Sequence, residues 1–333
     1  MSPSIEKPYA GIFVKNFFAG MKAKQADVDF LSMPRNETSR LGTIFKYLLF
    51  FFRSYRYLRT KYDVVHLHFP YPLICWTFFY KIIHPSTKVV ITFHGTDVKS
   101  HFTHRLSRAI GRFLMRHVDS VCAVGFELGE EVRHKLGIRD PLIISAGIDP
   151  NVFNTNGKVD KRYDLIYVGS LSVRKGILEF VEFLTHTDNS LSICFVGIGP
   201  LKNYIEKVGF KHRISFFNSL SQPEIADQLR SAKFLILPSH WEGFGLVVSE
   251  AMFCGTPVLG SDVIGINAQV EHGLNGFLFE AKNISKMGYC INRAINLGED
   301  DYQSLVQYSL KSNRQHELNK VLNQYISIYT GKR

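Results

Sequence analysis

Pro238-Ser239-His240-Trp241-Glu242-Gly243-Phe244-Gly245-Leu246-Val247-Val248-Ser249-Glu250-Ala251 is the stretch on which the reading of this chain turns. The apolar run 234–237 before it has the character of a buried strand. Residues 246–254 read as a helix, closed by Gly255-Thr256-Pro257. The glycine turn therefore lies where a strand hands over to a helix. Free backbone N–H groups and the positive helix end make that junction an anion site, suited to a diphosphate. Glu242 enters from the turn, and Glu250 stands about one turn into the helix, on the side facing the bound group. A carboxylate so placed accepts hydrogen bonds from paired hydroxyls, as on a ribose or hexose. An anion cradle with two hydroxyl acceptors describes a sugar-nucleotide site.

Outward from this stretch the chain alternates strand and helix, twice over. Strands are expected near 28–31, 64–67, 89–93, 120–124 and 142–145, then near 164–168, 191–196, 213–217, 234–237 and 257–260. Apolar, β-branched runs of this length spaced by helical segments predict parallel sheets covered on both faces. The fold class is α/β, with two Rossmann-like domains. Their expected extents are 1–155 and 156–312, joined by a linker rich in turn formers at 149–157, with a last helical segment at 313–333. At the start, Pro8-Tyr9-Ala10-Gly11 reads as a loop and 12–25 as a helix. Only seven residues precede Pro8, which leaves no room for a strand ahead of that loop, so the first sheet is expected to lack its opening strand.

The central stretch resembles the Glu-x7-Glu signature of retaining GT-B glycosyltransferases of family 4. Glu250-Ala251-Met252-Phe253-Cys254-Gly255-Thr256-Pro257-Val258 continues the likeness. Gly169-Ser170-Leu171-Ser172-Val173-Arg174-Lys175-Gly176 resembles the family's phosphate loop, with Ser170 where a frequent family arginine stands. Thr92-Phe93-His94-Gly95-Thr96-Asp97 resembles its T-x-H-G-x-D segment. The resemblance implies two domains with parallel sheets facing across a cleft, a nucleoside-diphosphate sugar as donor, and same-face attack assisted by the donor phosphate. It implies Arg174 and Lys175 on the phosphates, Glu242 on the sugar hydroxyls, Glu250 on the ribose, and His94 beside the transferred sugar. Gly169, Gly197, Gly243, Phe244, Gly245 and Leu246 would line the donor side, and Gly11, His68 and Asp97 the acceptor side. The last helix would pack back on the first domain. No metal and no cofactor are implied. Gly197-Ile198-Gly199-Pro200 after a strand is a weak signal by itself, since proline at a helix start is ordinary turn chemistry. His66 and His68 alternate on a strand and point the same way. Such a pair could bind metal, but no third ligand is visible.

Charge separates the halves. Residues 1–160 hold 22 Lys+Arg against 13 Asp+Glu, a net +9 of the chain's +11, whereas residues 161–333 hold 18 against 16, a net +2. A basic half calls for an anionic partner, and charge alone does not choose among phospholipid, lipid pyrophosphate and nucleic acid. Residues 40–61 are aromatic and basic without one acid, and Arg105, Arg108, Arg112 and Arg116 form a single stripe at helical spacing. Both patterns fit an anionic membrane surface. Nucleic acid fits less well, because the aromatics read as helix faces rather than stacking platforms. No run approaches a membrane-spanning length. The opening Met1-Ser2-Pro3-Ser4 lacks the features of an export signal, and five scattered cysteines read as reduced. The expectation is a hexosyltransferase peripheral to the inner face of the cytoplasmic membrane, acting on a lipid-linked or glycan acceptor in surface polysaccharide or glycolipid synthesis. A sugar-nucleotide epimerase on the same fold and an inactive transferase are the rival readings.

Overall fold

A computed structural model describes residues 11–33, 40–71, 73–157 and 160–332. Contacts divide the chain into two compact units, Met1–Gly147 with Leu318–Arg333, and Ile148–Glu317. The divisions fall after 147 and 317, eight residues before the expected end of the first domain at 155 and five beyond the expected end of the second at 312.

The first unit runs α1 (Ile12–Ala23), α2 (Arg40–Arg59), β1 (Val64–His68), α3 (Ile74–Ile83), β2 (Lys88–Phe93), α4 (Thr96–His101), α5 (Arg105–Met115), β3 (Ser120–Ala123), α6 (Phe126–Leu136) and β4 (Leu142–Ile143). Its four strands pair in parallel in the order β1-β2-β3-β4. Because the chain steps steadily across the sheet, right-handed crossovers put α3, α5 and α6 on one face. Val90, Cys122 and Thr92 turn to the other face, where the last helix of the chain lies (Leu318–Thr330, α14 below). The segment 28–31 is not a strand. It has no ladder partner among the described residues, and Phe30 lies exposed while stacking on Phe18 at 4.9 Å. Alternation of apolar and acidic residues there imitated a strand, but a strand exists only where a neighbour satisfies its backbone. The loop residues Pro8–Ala10 and the expected absence of an opening strand concern residues 1–10, outside the described residues.

The second unit runs β5 (Tyr163–Val168), α7 (Ile177–His186), β6 (Ser192–Val196), α8 (Lys202–Lys207), β7 (Arg213–Phe217), α9 (Gln222–Arg230), β8 (Ala232–Leu237), α10 (Leu246–Phe253), β9 (Val258–Ser261), α11 (Ile264–Asn267), β10 (Gly276–Phe279), α12 (Ile284–Ile295) and α13 (Glu299–Ser312). All pairings are parallel, in the order β10-β9-β8-β5-β6-β7. Strands β5, β6 and β8 are nearly all buried, as strands covered on both faces must be, while the edge strand β7 is half-buried. In α7, Ile177, Phe180, Val181 and Leu184 recur at helical spacing and all are buried. In α9, Pro223 sits in the first turn, and Glu224 accepts the Ser221 backbone N–H at 2.7 Å, which fixes where the helix begins. Strand β10, four residues long, was not anticipated from the sequence: Gly276-Phe277-Leu278-Phe279 is too short a run to separate from a loop.

One feature of this order places the site. The chain lays β5, β6 and β7 outward in one direction, then sets β8 on the opposite side of β5. The strand order reverses between β5 and β8, the place where open parallel sheets of this kind bind their ligands, beyond the carboxyl ends of the strands. The loops that follow these two strands are 169–176 and 238–245, the two stretches that carry the motifs.

Candidate active site

After β8, Pro238 and Ser239 turn the chain toward Gly245, which takes a left-handed conformation (φ 75°) and is the N-cap of α10. The first N–H groups of α10 have no partner within the helix. No acidic side chain occupies its first turn, so the positive end is left for an external anion. Phe244 and Gly245 are buried, Gly243 and Leu246 half-buried. Gln269 holds this turn in place. Its side-chain amide donates to the Phe244 carbonyl and to the Gly265 carbonyl at 3.1 Å, and its oxygen accepts from Ser249. Tying those carbonyls inward directs the intervening N–H groups the other way. The sequence offered no signal for Gln269, one of several polar residues between β9 and β10. Gln269→Leu keeps the volume and removes the ties. Donor affinity should fall roughly tenfold, with the loss of about one or two net hydrogen bonds. Unchanged affinity by calorimetry would remove Gln269 from the site.

The loop after β5 rests on the loop after β8. Gly176 (φ 69°) separates a 3-10 turn, Val173–Lys175, from α7, and a Cβ there would stand 1.8 Å from the Pro238 carbonyl oxygen. Only glycine fits. Gly197 has the same constraint, since its Cβ would meet the Gly169 carbonyl oxygen at 1.9 Å. Gly197 therefore lets two loops touch.

Lys175 donates to Glu242 Oε1, which also accepts from Ser239 Oγ at 2.7 Å. Glu242 is buried, and among the described residues Oε2 takes no hydrogen bond. Arg174 is exposed, its guanidinium 5.7 Å from the centre of the Trp241 ring, and its carbonyl accepts the His240 N–H at 3.0 Å. His240 in turn meets Glu179 at 2.9 Å. Glu250 differs from these. It lies in the middle of α10, half-buried, with no hydrogen-bond or ion-pair partner for its carboxylate among the described residues. Burial lifts its carboxyl to about 7. A carboxyl held in this way has unfilled acceptor capacity beside an anion-binding helix end.

In the first unit, β1 and β2 end at His68 and at Phe93-His94. His68 Nδ1 and His94 Nε2 are 3.0 Å apart, and the His94 ring stacks on Phe69 at 4.4 Å and lies 4.7 Å from Phe13. Burial drives both imidazoles below their ordinary range, His68 to about 3, so both are neutral. Gly11 is the left-handed N-cap of α1. Asp97 is turned inward. Its carboxylate accepts the N–H groups of His94, Gly95 and Val98, which braces the His94-Gly95 turn and leaves it little capacity for an external hydroxyl. Burial holds its carboxyl up at about 6 against those bonds. His66 is half-buried, with both ring nitrogens engaged by other side chains. One ring nitrogen meets Tyr329 and the other Thr92 at 2.8 Å, so the pair His66/His68 is split between α14 and His94. Of the arginine stripe, Arg112 donates to the Lys135 and His134 carbonyls, both at 3.2 Å, at the end of α6. Among the described residues no helix is long and apolar enough to cross a membrane.

Two parallel-sheet units, with glycine loops and carboxylates at a strand-order reversal, define the GT-B class. Residues 149–312 match the model described as glycosyl transferases group 1, and residues 14–152 that of glycosyltransferase family 4. The chain is a glycosyltransferase of the GT-B, family 4 type. It is 27% identical over 294 residues to N-acetyl-alpha-D-glucosaminyl L-malate synthase of Bacillus anthracis, spanning 81% of this chain and 75% of that one. It is 30% identical over 221 residues to the putative teichuronic acid biosynthesis glycosyltransferase TuaC of Bacillus subtilis, spanning 62% and 54%. The fold superposes on Anabaena HepE, solved with UDP and glucose, with TM-score 0.73 and 16% identity over 94% of this chain and 88% of that one.

Proposed function

We propose that this protein is a retaining hexosyltransferase that moves a sugar from a nucleoside-diphosphate sugar to a lipid-linked or glycan acceptor at the inner face of the cytoplasmic membrane. The observation that carries the donor reading is the unpartnered Glu250 carboxyl in α10, where the strand order reverses. In this reading the diphosphate lies against the first N–H groups of α10, and Gly169 and Gly197 line its loops. Glu250 accepts from the ribose hydroxyls, and Glu242 Oε2 from the sugar. As the bond from anomeric carbon to phosphate oxygen breaks, negative charge grows on the departing diphosphate. Arg174 and Lys175 stabilise that charge more than they stabilise the bound donor. The acceptor hydroxyl attacks from the same face and passes its proton to the leaving phosphate, which retains the anomeric configuration. The reading gives the acceptor to the first unit, with neutral His94, His68 and Gly11 as the residues on that side.

The test is thermal shift of the purified chain against UDP-, GDP- and ADP-sugars. One class should raise the midpoint, by mass action on the folded state alone. UDP-glucose is the first to try, given the bound UDP and glucose of HepE. NMR of the transfer product then reads the anomeric configuration. No shift with any sugar nucleotide, or an inverted product, overturns the reading. Epimerised free donor without any acceptor would replace it with the epimerase.

A further inference from the structure

Helix α2 carries apolar residues on opposite sides. Phe50, Ser54 and Tyr57 recur at helical spacing and are buried. Phe45, Leu48, Leu49, Phe52 and Tyr55 recur at helical spacing on the opposite side and are exposed, Phe52 to 79%. Its neighbours repeat the pattern. The His84 ring at the end of α3 meets the Leu58 carbonyl of α2 at 2.9 Å, and Phe79, Ile82 and Ile83 of α3 are exposed. Phe78 of α3 lies 5.7 Å from Phe113 of α5, where Leu106 (73% exposed), Ile110 and Phe113 form an outward row flanked by Arg105 and Arg116. Three adjacent helices thus show apolar rows to the outside, more than a soluble surface ordinarily carries in one region.

We propose that the apolar row of α2, with its neighbours on α3 and α5, inserts into the headgroup and upper acyl region of an anionic bilayer, with the arginines at the phosphate level. This rests on the membrane reading above and changes its mode, from charge attraction alone to charge plus burial. Charge selects the occupant. From Arg40 to Lys61 the chain has six cations and no acid. Arg59 and Arg56 fold onto the rings of Tyr55 and Tyr57, the arrangement of side chains that place a cation beside an apolar face. A second copy of this chain would bring like charges together. Arg112 is already engaged by α6 carbonyls, so the arginine stripe alone is a weaker anchor than its spacing implies.

The experiment is co-sedimentation of the full chain with vesicles of phosphatidylcholine alone or mixed with phosphatidylglycerol, at low and high salt. The parent should bind the anionic vesicles and keep part of that binding at high salt, where exposed charges are screened. Phe45→Ser/Leu49→Ser/Phe52→Ser should lower partitioning about tenfold or more and remove the salt-resistant part. Arg105→Gln/Arg116→Gln should lower only the salt-sensitive part. In Phe52→Trp, the indole introduced at that position should be quenched by brominated lipid. Its absence, or equal high-salt binding by the triple serine variant, overturns the proposal. So does a parent that forms dimers abolished in that variant without binding vesicles, which assigns the face to a second copy. Donor-induced thermal shift, retained in the triple variant, shows that it is folded. Absence of that shift in the parent would sink the proposed donor reading and leave the insertion result standing.

Discussion

Glu250→Gln should weaken donor binding roughly ten- to hundredfold while leaving the donor-free protein more stable at pH 8 than the parent. The two effects share a cause. The half-buried carboxylate has no partner without donor, so ionising it costs folding free energy, and the amide removes that cost. With donor bound, the same carboxylate accepts charge-assisted hydrogen bonds, each typically about 1.5–3 kcal/mol. The pH dependence follows with a fixed sign. The folded-state value of about 7 lies above the ordinary value of 4.5. The group therefore favours the folded state below about 4.5, and that contribution is lost as pH rises toward 7. Donor binding runs the other way, because only the carboxylate accepts both hydroxyls. Dissociation constants should rise by up to about tenfold per pH unit below 7 in the parent and stay flat in Glu250→Gln. A sugar nucleotide must be used, since its diphosphate carries no terminal group that titrates near 6 as a free phosphate does. Calorimetric titrations between pH 5.5 and 8 read all of this. A flat parent profile, or a variant that binds like the parent, takes Glu250 out of the donor site.

Arg174→Ala/Lys175→Ala should lower kcat by about two to three orders of magnitude, with a much smaller rise in KM for donor. Lys175 has a second role that separates the two residues. It neutralises buried Glu242, so Lys175→Ala strands a carboxylate held only by Ser239. Breaking such a pair costs on the order of 3 kcal/mol. Arg174, exposed over Trp241, carries no such obligation. Lys175→Ala should therefore lower Tm while Arg174→Ala does not. Adding Glu242→Gln to Lys175→Ala should restore Tm but not turnover. Glu242→Ala alone should depress kcat and leave donor affinity near that of the parent. Recovery of turnover in the Lys175→Ala/Glu242→Gln variant would show that the lysine serves stability only.

Much of this site was legible in the chain. Every strand expected in the second half is present to within a residue or two, because apolar β-branched runs between helical periods admit few other readings. The glycine turn before Glu250 was legible for a similar local reason, a strand and a helix with too few residues between them for anything but a tight junction. Other features depended on residues far apart in the chain. The reversal of strand order between β5 and β8 is a matter of pairing, which no single segment encodes. Gln269 reaches carbonyls about 25 positions away. Val28 to Leu31 had the alternation of a strand and lacked only a neighbour. His66 and His68 looked equivalent, two positions apart on one strand, until Tyr329 and Thr92 engaged one and His94 the other. Asp97 and Arg112 had the residue types of a ligand-facing acid and a surface cation, yet the nearest backbone groups took them. Local patterns set which elements form, because propensity and burial act over a few residues. Which of two like side chains meets solvent, a ligand or the core is decided by what the rest of the chain packs beside it.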